Sequence, residues 1–180
     1  MYMANLIKNK RITPDNWRKF EPAADGGLPG IPLTGDWIVP FALWREQREQ
    51  LSRREGKNGV VLENTGEPRV LVADFDKLAL IAVRFPKFTD GRGYSIARLL
   101  RRLGWKGELR AVGDVLRDQL FAMTRCGFDA LELRADQDAQ SVLTAFSDFT
   151  ASYQVALDDG ARFGSAGTAG KPAVSTLSPW

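Results

Sequence analysis

The residues able to do chemistry in this sequence fall in two short stretches. Lys87, Asp90, Arg92, Ser95 and Arg98 form the first, and Arg110, Asp114, Arg117 and Asp118 form the second. In the first, Asp90-Gly91-Arg92-Gly93 stands just before a helical pattern. Glycines two residues apart at such a place allow tight turns and let an anion approach free backbone amides. Lys87, Arg92, Ser95 and Arg98 would surround that anion, and a small oxyanion such as sulfite, sulfate or phosphate is the natural guest. The plain alternative is a strand-to-helix turn with solvated basic residues. In the second stretch, carboxylates beside guanidinium groups could supply general acid and base capacity, with Asp90, Asp114 or Asp118 moving protons and Arg110 and Arg117 holding charge. The structural alternative makes Asp114 a helix N-cap and places Arg117 and Asp118 on the outer face of that helix. An arginine at the third position of a helix, near the positive dipole end, favours an anion to meet it.

Other chemistries are excluded by composition. The 180 residues include no histidine and one cysteine, so this chain forms no Ser-His-Asp triad, His-ligated zinc or haem, internal disulfide or four-cysteine iron–sulfur site. No metal site is expected. Cys126 lies at a helix end, the wrong dipole end for a reactive thiolate, and reads as a buried structural thiol. Gly91-Arg92-Gly93 lacks the third glycine of a dinucleotide fingerprint, and no phosphate-binding P-loop pattern occurs. No cofactor is identifiable from the sequence, although a flavin held without covalent attachment leaves no local motif and stays compatible.

These stretches need elements to hold them. Apolar residues at Ile96, Leu99, Leu100 and Leu103 follow helical spacing, and Gly104 ends the pattern. Strands are expected near Val61, at Leu78–Phe85, at Glu108–Val112 and at Phe128–Leu133, with Trp37–Pro40 as a further candidate. Helices are expected at Phe41–Glu55, Asp114–Arg125 and Asp136 to about Tyr153, with a weaker one at Glu67–Lys77. Strands alternating with helices at this spacing indicate an α/β fold, about four parallel strands in consecutive βα units. Either an open sheet or a partial barrel satisfies the pattern. Residues 1–34 read as an irregular N-terminal segment with a short strand at Leu6-Ile7 and a breaker-rich run from Glu21 to Pro32. The α/β domain is expected over 35–157, and 158–180 read as a disordered tail.

Hydrophobic residues make up 44% and charged residues 26% of the chain, as in globular proteins rather than disordered ones. Net charge is +3, but Arg84 to Arg125 hold ten basic and four acidic residues. That segment carries the positive potential. Arg98, Arg101 and Arg102 lack interleaved aromatics, which argues against nucleic acid. The start of the chain lacks a hydrophobic signal segment, and no window approaches the ~18 apolar residues of a membrane span. A soluble, cytoplasmic protein is expected.

The stretch Phe85-Pro86-Lys87-Phe88-Thr89-Asp90-Gly91-Arg92-Gly93-Tyr94-Ser95 with the helix to Arg101, the stretch Gly107 to Leu120, and Arg125-Cys126-Gly127-Phe128-Asp129 together resemble the bacterial proteins of domain-of-unknown-function family 934. The resemblance spans about residues 35–157. Members are usually encoded beside siroheme sulfite reductase and carry the label of candidate oxidoreductases of sulfite reduction, so the resemblance implies a pathway in sulfur assimilation rather than a reaction. Two readings follow. In the first, the protein is an accessory to sulfite reductase in sulfite and sulfate reduction, acting through an anion-binding basic face, with Trp37 and Trp44 as candidate apolar surface. In the second, it is a small α/β enzyme, such as an oxidoreductase, acting on an anionic sulfur or phosphate compound. Convergence of Asp90, Arg92, Arg110, Asp114 and Arg117 on one pocket would favour the second.

Overall fold

Alternation of apolar residues in the strands produces one sheet with two different faces. The computed structural model describes residues 6–20 and 34–143. Its strands are β1 (Leu6–Lys8), β2 (Arg11–Ile12), β3 (Arg18–Lys19), β4 (Trp37–Pro40), β5 (Asn58–Leu62), β6 (Leu80–Phe85), β7 (Glu108–Gly113) and β8 (Ala130–Glu132). The helices are α1 (Phe41–Ser52), α2 (Arg92–Arg102), α3 (Leu120–Arg125) and α4 (Ala139–Leu143), with 3-10 helices at Pro68–Asp74 and Arg117–Gln119.

All eight strands join one sheet in the order β2-β1-β8-β7-β6-β5-β4-β3. From β3 to β8 every neighbouring pair is parallel, while β1 pairs antiparallel with both β8 and β2. Because β3 to β8 lie beside one another in sequence order, right-handed crossovers put the connecting helices on a single face. The sheet curls away from that face and forms an open half-barrel. The α/β class with a partial barrel is the outcome. The four expected parallel strands are β5 to β8, the candidate at Trp37–Pro40 is β4, and β3 extends them. Residues 6–20 also supply three strands, of which only Leu6-Ile7 is legible locally.

The convex face carries the main core. Val60, Ile81 and Leu109 stand side by side across β5, β6 and β7. They pack with Leu43, Trp44 and Leu51 of α1, Ile96, Ala97 and Leu100 of α2, and Leu120 and Met123 of α3. Trp44 is fully buried and its indole N–H donates to Asp74 Oδ2 at 3.0 Å. It is therefore an internal anchor and not the surface residue expected. Trp37 is half-buried, and its Nε1 donates to the Thr34 carbonyl at 3.0 Å.

Local signals explain the ends of the elements. Gly104 has φ +98°, and the amides of Gly104 and Trp105 donate to the carbonyls of Arg101 and Leu100, the Schellman closure of α2. Asn9 and Lys10, at φ 51° and 61°, form the two-residue turn joining β1 and β2. The helix expected from Asp114 breaks into the 3-10 turn and the shorter α3. The expected Glu67–Lys77 helix is the 3-10 helix, with Pro68 at its start and the Glu67 side chain accepting from the Arg69 amide. Of the helix expected from Asp136, Ala139–Leu143 is α4; the rest beyond Leu143, the tail and the Glu21–Pro32 run lie outside the described residues.

Candidate functional site

Residues that alternate with the convex core line a cup on the concave face. Ile38, Leu80, Ala82 and Val112 form its apolar floor, with Val61 and Trp17 packed against them. A Cβ on Gly59 would lie 3.2 Å from each of Ile38, Leu80 and Trp17, so glycine there allows Trp17 its close approach. Trp17 and Asp15 thus place the segment between β2 and β3 across the concave face. Beneath it, Arg110 is 1% exposed. Its Nη1 donates to Asp15 Oδ2 at 2.7 Å and its Nε to Glu108 Oε1 at 2.8 Å. Lys8 Nζ donates to Glu108 Oε2 at 2.7 Å. Burial works against the Arg110 charge, but the bond to Asp15 and the facing Glu108 hold its pKa above the ordinary value.

Towards the carboxyl ends of the strands the cup opens into a cavity of about 550 Å³. Ile38, Val61, Ala82 and Val112 line it below, and Asp15, Lys19, Arg84, Glu132 and Arg134 line it with charge. Lys19 on β3 pairs with Glu132 on β8, bridging the curl of the sheet. Arg84 Nε donates to Glu63 Oε1 at 2.9 Å. Gly113, at φ +98°, also lines the cavity, and a Cβ there would lie 2.5 Å from the Phe85 carbonyl oxygen.

The loops around the opening neutralise their own charges. Arg134 Nη1 donates to Asp114 Oδ1 at 2.7 Å, and its Nε and Nη2 donate to Asp136 at 2.6 and 2.7 Å. Those bonds, Asp136 first, hold Arg134 above its ordinary pKa and Asp136 below the usual carboxylate value. Asp114 also accepts from the Phe88 amide at 2.8 Å, so it ties three loops together rather than capping a helix. Asp90 accepts from the Arg92 amide at 3.1 Å and from Arg92 Nη2 at 2.6 Å. The Arg92 guanidinium is the main cause that lowers the Asp90 pKa to about 2. The anion at the start of α2 is therefore the chain's own carboxylate. Gly93 has a packing reason as well: a Cβ would lie 2.4 Å from the Phe85 ring.

The sequence candidates consequently scatter. Arg110 lies inside the cup and not in a loop. Lys87, Ser95, Arg98, Arg117 and Asp118 are exposed. Arg92 is bound to Asp90, and Asp114 to Arg134. Cys126 is buried. Among the described residues, no group of three or more His, Cys, Asp or Glu side chains could hold a metal, and no helix is long and apolar enough to cross a membrane.

Periodicity could have found Arg84. It stands in an otherwise apolar strand, two residues from Ala82, and so shares that residue's face. Asp15, Lys19, Glu132 and Arg134 carry no such signal, because they meet only across the curled sheet.

Residues 59–163, more than half of the chain, match the family described as bacterial protein of unknown function, DUF934. The chain belongs to this family. The DUF934 segment begins within β5, later than the start near residue 35 that the resemblance implies. It contains Arg84, Arg110, Glu132 and Arg134, whereas Lys8, Asp15 and Lys19 precede it. No curated protein and no solved structure matches the chain.

Proposed function

We propose that this protein is a cytoplasmic accessory to sulfite reductase in assimilatory sulfite and sulfate reduction. It docks through a basic face to an acidic surface of the enzyme. The observation that carries this reading is the outer face of α2 and its flanks. Arg98, Arg102, Lys87 and Lys106 are exposed there, and no described carboxylate pairs with them. Ser95 lies on the same side of the helix at helical spacing. Unpaired charges on a convex surface steer encounter with a partner of opposite sign. The pathway comes from the DUF934 resemblance. The enzyme alternative required Asp90, Arg92, Arg110, Asp114 and Arg117 to converge, and their dispersal weighs against that set of residues.

The test is sedimentation of the full chain with purified sulfite reductase, together with sulfite turnover in its presence and absence. Association that weakens with added salt, and that is lost in the Arg98→Glu/Arg102→Glu double variant, supports the proposal. If the enzyme neither binds the protein nor changes its turnover, the proposal fails. Equal binding by the double variant would move the interface off α2.

A further inference from the structure

We infer that the cup on the concave face binds a small organic anion, with its apolar body on the floor and its charged group held by Arg84 and Lys19. This goes beyond the docking reading, since it uses the opposite side of the sheet.

Three observations carry it. The cavity of about 550 Å³ falls within the roughly 300–1,000 Å³ typical of small-molecule sites. It opens at the carboxyl ends of parallel strands, where such sheets hold ligands because their loops leave space there. Its chemistry is also divided as such sites require, with an apolar base from Ile38, Val61, Ala82 and Val112 and charge around it.

The hydrogen-bond inventory then selects an anion. Arg134 uses its Nε, Nη1 and Nη2 on Asp114 and Asp136. Arg84 uses only Nε, on Glu63, and both of its Nη groups have no partner among the described residues. Lys19 gives one of its three donors to Glu132. Asp15 is already bound to Arg110. Two half-exposed cations with unused donors therefore face a cavity whose remaining carboxylate is Glu132. Its Oε2 is shielded, with no hydrogen-bond donor among the described residues.

The experiment titrates the isotope-labelled full chain with naphthalenesulfonate, and separately with uncharged hydroxymethylnaphthalene, following backbone amide shifts by NMR. The expected result is saturable shifts at Lys19, Gly113, Glu132 and Ala135, with the uncharged probe bound about tenfold more weakly. Arg84→Gln should weaken naphthalenesulfonate binding and narrow that preference, with Lys19 left to hold the anion. No saturable binding overturns the inference. So do shifts centred on Arg98 and Arg102, or equal affinity for the two probes. The two-probe comparison on the unaltered protein decides even if the Arg84 variant does not fold.

Discussion

Arg110 on the concave face is 1% exposed and bound to Asp15 and Glu108, whereas Arg98 and Arg102 on the outer face of α2 are exposed without a described carboxylate partner. All three belong to the same basic stretch of sequence. Arg101, one residue before Arg102, points elsewhere again. Its guanidinium donates to the carbonyls of Trp105, Gly107 and Gly127 and to Asp129, fastening α2 to the turns beneath it. A local excess of arginine is therefore a poor measure of surface potential. The sheet takes some of that charge inside, carboxylates neutralise some at the loops, and only the remainder is available to a partner.

The largest expected effect tests the inside against the outside directly. Arg110→Ala leaves Asp15 and Glu108 facing each other near the floor of the cup, and stability should fall by about 3 kcal/mol, because removing one member of a buried ion pair strands the other. Arg98→Ala should change stability by no more than about 0.5 kcal/mol. Urea unfolding of both variants measures the contrast, and equal small losses would mean that Arg110 is not buried with its partners.

Glycines sharpen the same comparison at a smaller scale. Gly113→Ala forces a side chain into a left-handed conformation against the Phe85 carbonyl and should cost about 2 kcal/mol. Gly91→Ala, on the loop before α2, meets no atom within 4 Å and has φ −76°. It should be neutral or stabilising by about 0.5 kcal/mol through the unfolded chain. Thermal unfolding distinguishes them, and a Gly113 variant as stable as the parent would contradict the described turn.

The smallest effect concerns protons. Asp90 should stay ionised until the pH approaches about 2. Its folded pKa lies below the ordinary 3.8, so its contribution to stability is complete above that value and fades as pH falls towards about 2. Arg92→Ala should return the carboxyl towards 3.8 with little change in stability at neutral pH. Carboxyl carbon NMR reads this, and an unchanged titration would show that Arg92 is not the cause.

Much of the framework was legible because it rests on short-range signals. The apolar run ending at Phe85, the helical spacing of Ile96 and Leu100, and Gly104 after them each locate an element from neighbouring residues. The glycines of the first loop were read less well. Spacing suggested an anion seat, but Asp90 already fills the start of α2 and Gly93 makes room for the Phe85 ring. Asp90 stands only two residues from Arg92 and is a local signal for the first fact, whereas nothing local records the second, since Phe85 approaches from another element.

The sequence by itself determined the α/β alternation, the end of α2 and the exclusion of histidine and disulfide chemistry, because those follow from residue type and near-neighbour periodicity. Only the tertiary structure decided which charges meet. Lys19 reaches Glu132, and Asp15 reaches Arg110, across more than ninety residues of chain. The curl of the sheet brings these side chains together, and curl is a property of how strands stack side by side rather than of any one strand.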